Sequence, residues 1–360
     1  MNNQSETNVW DEKRNIYLPR RIIEMLEKDM EMFDFYKRGT SEFMRNKFLN
    51  QLIQGYYDLY LDENNEQRSR ILSALRNLSL PDNVQEGIVN ALMKEDLEDG
   101  GKRGERGSGH VSLKPTGKTR AIMQGIYTNV EDYTSQYLRR MIISYCKKPF
   151  FERERIVFRE LYVLLKECCE ERRILLITTK GSPNKVREIV PYSVTMGTEE
   201  MYLYLLCQEE DEVNHRMKAG VYALHHIENV SFGRSNGVLE PQIKTWLDCM
   251  TKKGPQYSIN EDTEICVRLN DKGVKDYRKI YFGRPQCDEV RVENGYHYLI
   301  YRNCSMNQLY LYYRRFDPDN AEIIAPNELR ERMHEFFLKG ESTYKAAKGG
   351  NTGTERDEHE

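Results

Sequence analysis

Residues 173–232 string short apolar runs and turn residues together too closely for helices of useful length. Ile174-Leu175-Leu176-Ile177 is a continuous apolar run, Gly181-Ser182-Pro183-Asn184 reads as a turn, and Val186, Ile189, Val194, Leu203, Leu205 and Val221 mark further strands. Four or five short strands in quick succession can bury their apolar faces by wrapping into a small β-barrel. The other segments flank this one.

At 360 residues the chain exceeds one ordinary core, and two to four domains are expected. The fold class is α+β. The expected division is a nucleic-acid-binding region with a helical insert (1–150), the barrel with a leading amphipathic helix at 151–171 (151–233), a linker with a short helical piece around Trp246 (234–255), an α+β unit (256–340) and a disordered polar tail (341–360). With 54 Lys and Arg against 57 Asp and Glu the net charge is −3, so charge must be read segment by segment. No apolar run reaches the ~18 residues of a membrane span, and residues 1–11 lack the charged-then-apolar pattern of a signal peptide. A cytoplasmic protein without membrane contact is expected. Its eight Cys show no Cys-x-x-Cys spacing and read as free thiols rather than metal ligands.

Residues 13–57 read as strand, helix, helix. Lys13, Asn15 and Tyr17 alternate with Arg14, Ile16 and Leu18, and Pro19 opens a helix carrying Ile22, Ile23, Leu26 and Met30 on one face. Ser41 is a good N-cap for a second helix striped by Met44, Phe48, Leu49, Leu52 and Ile53. This order resembles the ribbon-helix-helix module of Arc/MetJ-type repressors, in which a two-stranded ribbon reads DNA. The resemblance implies that Lys13, Asn15 and Tyr17 are the reading face. Orphan amides at the Ser41 helix start would suit a phosphate. An ordinary helical hairpin behind an extended arm is the alternative.

A degenerate second copy follows. Val111-Ser112-Leu113-Lys114-Pro115 repeats the strand and its proline, and Thr134-Ser135-Gln136-Tyr137-Leu138-Arg139 matches Thr40-Ser41-Glu42-Phe43-Met44-Arg45. Pro19 and Ser41 are 22 positions apart, Pro115 and Ser135 20. Two copies in tandem can pair within one chain, which would turn His110, Ser112 and Lys114 the same way as Lys13, Asn15 and Tyr17; pairing between two chains is the rival. Net charge is +3 over 13–57, −6 over 58–99 and +7 over 102–148. The glycine-rich stretch before the second strand carries Lys102, Arg103 and Arg106 and reads either as a basic loop that wraps a phosphate backbone or as a solvated linker.

Beyond residue 255 a strand at 264–269, a helix at 272–281, a hairpin of strands 289–292 and 296–301 about Asn294-Gly295, and a strand at 309–313 are expected. No Gly-rich nucleotide loop, His-Glu-x-x-His or Gly-x-Ser-x-Gly motif occurs, so neither an enzyme nor a cofactor is expected. His225 and His226, placed on a strand, would point to opposite faces and could not share a metal. The barrel carries Arg172, Arg173, Lys180, Lys185 and Arg187 in a stretch free of acids, followed by Tyr192, Tyr202, Tyr204 and Tyr222. Cations with aromatic faces suit a single strand, although β-strands favour Tyr in any case.

Arg187-Glu188-Ile189-Val190-Pro191-Tyr192, Met201-Tyr202-Leu203 and Tyr222-Ala223-Leu224-His225-His226-Ile227-Glu228 resemble, in order, the signature segments of WYL domains, which have an Sm-like or SH3-like barrel. Met201 stands where the family has its eponymous Trp, and Ala223 and His226 where it has Arg. The resemblance implies that Arg187, Tyr202 and His226 line one face and contact single-stranded RNA. Ala321-Glu322-Ile323-Ile324-Ala325-Pro326-Asn327-Glu328-Leu329-Arg330 resembles the end of the ferredoxin-like extension common behind WYL barrels. A ribbon-helix-helix module joined to WYL is similar to the WYL accessory proteins of type VI-D CRISPR-Cas systems. That similarity implies a homodimeric, non-enzymatic regulator that binds single-stranded RNA, or DNA, and modulates an RNA-guided ribonuclease effector. A DNA-binding transcription repressor with a ligand-sensing WYL domain is the alternative, and a pure interaction scaffold a third reading.

Overall fold

Alternation in the first strand sets the first layer of core. A computed structural model describes residues 13–78, 80–95, 108–129 and 134–349. The chain divides into two compact units: residues 1–167 with 179–183 and 224–228, and the remainder. In the first unit β1 (Arg14–Pro19) buries Ile16 and Leu18 completely and leaves Asn15 exposed. Then come α1 (Arg20–Met32), α2 (Arg45–Arg76), α3 (Asp82–Glu95), β2 (Ser108–Leu113), α4 (Gly117–Asn129), α5 (Thr134–Cys146), α6 (Phe150–Val157) and α7 (Arg159–Glu171), whose last turn belongs to the second unit.

β1 and β2 pair antiparallel within the chain, from Arg14↔Leu113 to Pro19↔Ser108, so the order strand, helix, helix occurs twice around one two-stranded ribbon. Two expectations change here. The second helix starts at Arg45 rather than Ser41, because residues 35–44 fold back on themselves: Gly39 takes a left-handed φ of +72°, Met44 N donates to Phe35 O, and the rings of Tyr36 and Phe43 stack at 5.1 Å. In the second copy the helix already starts at Thr134. The single helix expected over 151–171 is two, parted at Phe158, whose ring packs against Phe33 and Phe35.

The first unit also buries a charge. Asp29, fully buried on the apolar face of α1, accepts two bonds from the Arg153 guanidinium of α6, both 2.9 Å, and one from Tyr145 OH of α5 at 2.8 Å. Gly55 lets α2 meet α6 closely, since a Cβ there would lie 1.9 Å from Ile156 O.

The second unit begins with β3 (Arg173–Thr179), β4 (Ser182–Met196), β5 (Leu203–Glu210) and β6 (Met217–Ala223) and, after a 3-10 turn at Leu224–His226 that belongs to the first unit, continues in β7 (Ile227–Asn236). Five strands form, in the order β6-β5-β4-β3-β7, but the sheet stays open, with β6 and β7 at its edges. The closed barrel expected from the strand pattern is absent. α8 (Pro241–Lys253) lies on one face of β5 and β6. Its Ile243, Leu247 and Met250 pack on Leu206 and Ala219 of β5 and β6. The segment expected to be a linker is therefore a structural helix.

β8 (Ile265–Leu269), α9 (Asp271–Lys279), β9 (Glu289–Glu293), β10 (Tyr296–Tyr301), α10 (Met306–Tyr313), β11 (Ala321–Ala325) and α11 (Asn327–Gly349) complete the chain. This is the β-α-β-β-α-β order of a ferredoxin-like fold, with an antiparallel sheet ordered β11-β8-β10-β9. Asn294 and Gly295, at φ 52° and 79°, make the expected hairpin turn. Residues 309–313 are helix rather than strand, and the spacing of Leu309, Tyr312, Tyr313 and Phe316 brings all four to one core. Residues 341–349, expected in a disordered tail, continue α11. All eight Cys are free thiols. Among the described residues no helix is long and apolar enough to cross a membrane.

Removing one partner of a buried charge pair leaves the other uncompensated. Asp29→Ala and Arg153→Ala should each destabilise the first unit by about 3–5 kcal/mol. The double substitution should cost clearly less than the sum, as read from urea midpoints in a double-mutant cycle.

Candidate nucleic-acid interface

The two faces of the ribbon differ sharply. In an antiparallel pair directly opposed residues share a face, so the register Asn15↔Ser112 and Tyr17↔His110 puts these four side chains together, opposite the buried Ile16, Leu18 and Leu113. Lys13 and Lys114, both exposed, continue the outer row at one end. Ser112 Oγ donates to Asn15 Oδ1 at 2.7 Å, which leaves the Asn15 amide NH2 as the part that can donate to a ligand. The rings of Tyr17 and His110 lie 5.9 Å apart, tilted by 52°. The result is a strip of hydrogen-bonding amide and hydroxyl, two rings and two lysines.

A polar ladder on α2 holds the strip in place. Asn46 Oδ1 accepts from Lys114 N at 2.7 Å, and Asn50 donates to Lys114 O at 3.1 Å while accepting from Thr116 N at 2.9 Å. Gln54 Nε2 donates to the hydroxyls of Thr116 and Thr119, each at 2.9 Å. Asn46, Asn50 and Gln54 recur every four residues and so lie on one helix face. Sequence reasoning missed them; the signal available was polar amides at helical spacing beside the apolar stripe Phe48, Leu49, Leu52 and Ile53.

The other expected contacts are dispersed. Lys102, Arg103 and Arg106 lie outside the described residues. Lys180 is turned inward: its ammonium donates to Phe33 O at 2.8 Å and Asp34 O at 2.9 Å and lies 5.4 Å from the Phe35 ring centre. Lys185 pairs with Glu212. Arg187 does not meet Tyr202. Its Nη1 donates to Tyr222 OH at 3.3 Å, Tyr222 in turn donates to Glu209, and Arg187 Nε is buried with no hydrogen-bond partner.

Arg187 and Tyr202 sit beyond opposite ends of the β4–β5 ladder, which runs from Ile189↔Glu209 to Met196↔Leu203. At ~3.3 Å per residue that ladder alone is about 23 Å long, too far for one contact point. His226, exposed, belongs to the 3-10 turn, and its ring centre is 4.3 Å from that of His225 rather than on an opposite strand face. Partial desolvation and its neighbour His225 hold its pKa below the usual imidazole value. His225 is buried, with Nδ1 2.6 Å from Glu154 Oε1. No cluster of three or more His, Cys, Asp or Glu among the described residues could hold a metal ion.

Burial holds the Lys180 amine down at about 8. Between that value and the usual lysine range near ~10.4 the unfolded chain binds more protons than the folded one, so the Lys180 contribution to stability rises with pH across this window. The neutral amine still has hydrogens for both carbonyls. Wild type should therefore gain on Lys180→Met by about 1 kcal/mol for each pH unit in the window. Urea midpoints of the two proteins at pH 7.5 and pH 10 check this, and an unchanging gap would mean that the amine is solvated.

No protein-family model matches the chain, and no curated protein does. Among solved structures, the proteasome accessory factor B/C (PafBC) of Arthrobacter aurescens aligns over 87% of this chain and 52% of its own, at 11% identity and a TM-score of 0.24. A structure described as the crystal structure of a CRISPR Cas-related protein aligns over 93% of this chain and 95% of its own, at 17% identity and a TM-score of 0.63. The chain therefore shares its fold, nearly end to end, with a CRISPR Cas-related protein of known structure.

Proposed function

We propose that this chain is a non-enzymatic regulatory protein that binds single-stranded RNA on the outer face of the β1–β2 ribbon and modulates an RNA-guided CRISPR ribonuclease. The observation that carries the reading is the register that joins Asn15 with Ser112 and Tyr17 with His110. It presents two rings for unstacked bases, an amide for their edges and, from Lys13 and Lys114, charge for phosphates. The two strand-helix-helix copies are read as a ribbon-helix-helix pair closed within one chain, and the open five-stranded sheet as a WYL-type, SH3-like sensor. The effector side of the reading draws on the likeness in fold to a CRISPR Cas-related protein.

A specific observation favours a second reading. Two paired strands are the width that enters the major groove of duplex DNA, as in ribbon-type repressors, whereas the A-form RNA groove is too narrow. Competition among single-stranded RNA, single-stranded DNA and duplex DNA at one fixed salt concentration separates the two. Single-stranded RNA should compete best. Asn15→Ala with Tyr17→Ala should weaken binding by about 1–3 kcal/mol with little change in salt slope, since it removes stacking rather than charge. Wild-type affinity of that double variant for all three nucleic acids would remove the ribbon as the contact.

The same proposal includes a homodimer formed by the C-terminal half, where edge strand β9 leaves Val290 and Val292 exposed. Light scattering of the full chain carrying Val290→Lys and Val292→Lys should then report a monomer. A persisting dimer would place the interface elsewhere.

A further inference from the structure

At the lysine end of the ribbon, α1, the start of α2 and β2 line a half-open cavity of about 750 Å³. That volume lies within the range of small-molecule sites. Its lining includes apolar side chains, among them Met30, Phe43 and Met44, and the exposed lysines Lys13, Lys47 and Lys114. Charge in the lining is unbalanced. Arg45 is paired with Glu27 at 2.7 Å and Lys37 with Glu42 at 2.6 Å, while Lys13, Lys47 and Lys114 have no carboxylate partner among the described residues. The first turn of α2 adds to this, because Met44 at its N-cap offers no side-chain acceptor and no acid follows in that turn.

An apolar floor beside three uncompensated ammonium groups suits neither a plain hydrocarbon, which would leave the lysines without a counter-charge, nor a bare phosphate, which would leave the floor wet. It suits a molecule with a flat apolar ring at one end and an anion at the other. We infer that the cavity binds a nucleoside phosphate, with the base on the Phe43 and Met44 side and the phosphate between Lys13, Lys47 and Lys114. The ligand arrives either as a free nucleotide or as the phosphorylated end of a strand. Asn15 and Tyr17 do not line the cavity, although it shares Lys13, Lys114, His110 and Ser112 with the outer face of the ribbon.

Calorimetric titration of the full chain with AMP, adenosine and inorganic phosphate tests it. AMP should bind at least about tenfold more tightly than adenosine or phosphate, because each of those uses one half of the site. Lys47→Ala should weaken AMP roughly tenfold, and Met44→Trp, which fills the floor, should abolish binding. Circular dichroism and melting checks that both variants fold, and AMP binding should survive Asn15→Ala with Tyr17→Ala. A preference for a 5′-phosphorylated over a 5′-hydroxyl oligoribonucleotide, lost in Lys47→Ala, identifies a strand end as the source; AMP binding without that preference identifies a free nucleotide. No AMP binding, phosphate binding as tight as AMP, or AMP affinity unchanged in folded Lys47→Ala and Met44→Trp would overturn the inference.

Discussion

Three helices of the first unit converge on one carboxylate. Asp29 sits among Ile22, Leu26 and Met30 on the buried face of α1, where an unpaired charge would be expelled. The Arg153 fork and the Tyr145 hydroxyl satisfy both of its oxygens, and Arg153 spends a further donor on Lys148 O at 2.9 Å. Geometry of this kind tolerates little displacement, so α1, α5 and α6 are held in a single arrangement. β1 runs directly into α1, and the orientation of the ribbon inherits that constraint.

The ribbon itself is an instance of a repeat completing its own pairing. A strand-helix-helix unit exposes one strand edge, and two copies in one chain remove that edge without a second molecule. The copies are not equivalent. Only the first carries the Asn46, Asn50 and Gln54 ladder, which clamps the backbone of the second copy just after its strand. The cavity lies at one end of the ribbon, beside the start of α2.

In the second unit a basic-aromatic composition did not amount to a site. Arg187 finds Tyr222, which lies across the sheet beside Glu209, rather than Tyr202, which lies beyond the far end of the hairpin. Lys180 serves backbone carbonyls of the first unit, to which its own turn belongs. Positive charge and rings in one stretch of sequence therefore described solvated edges and buried donors.

Sequence alone was sufficient wherever a local period or turn decides the outcome. The alternation of residues 13–18 made Ile16 and Leu18 core and Asn15 and Tyr17 the other face, Asn294-Gly295 set the β9–β10 hairpin, and the succession of elements after residue 264 was nearly legible. The missed features share another cause. Whether residues 309–313 are strand or helix, whether five strands close, and whether a helix starts at Ser41 or Arg45 depend on surfaces supplied by residues distant in the chain. A short apolar run satisfies either period until a partner face selects one. The tertiary structure made that selection, because burial against a specific neighbour outweighs the few tenths of a kcal/mol by which local propensities differ.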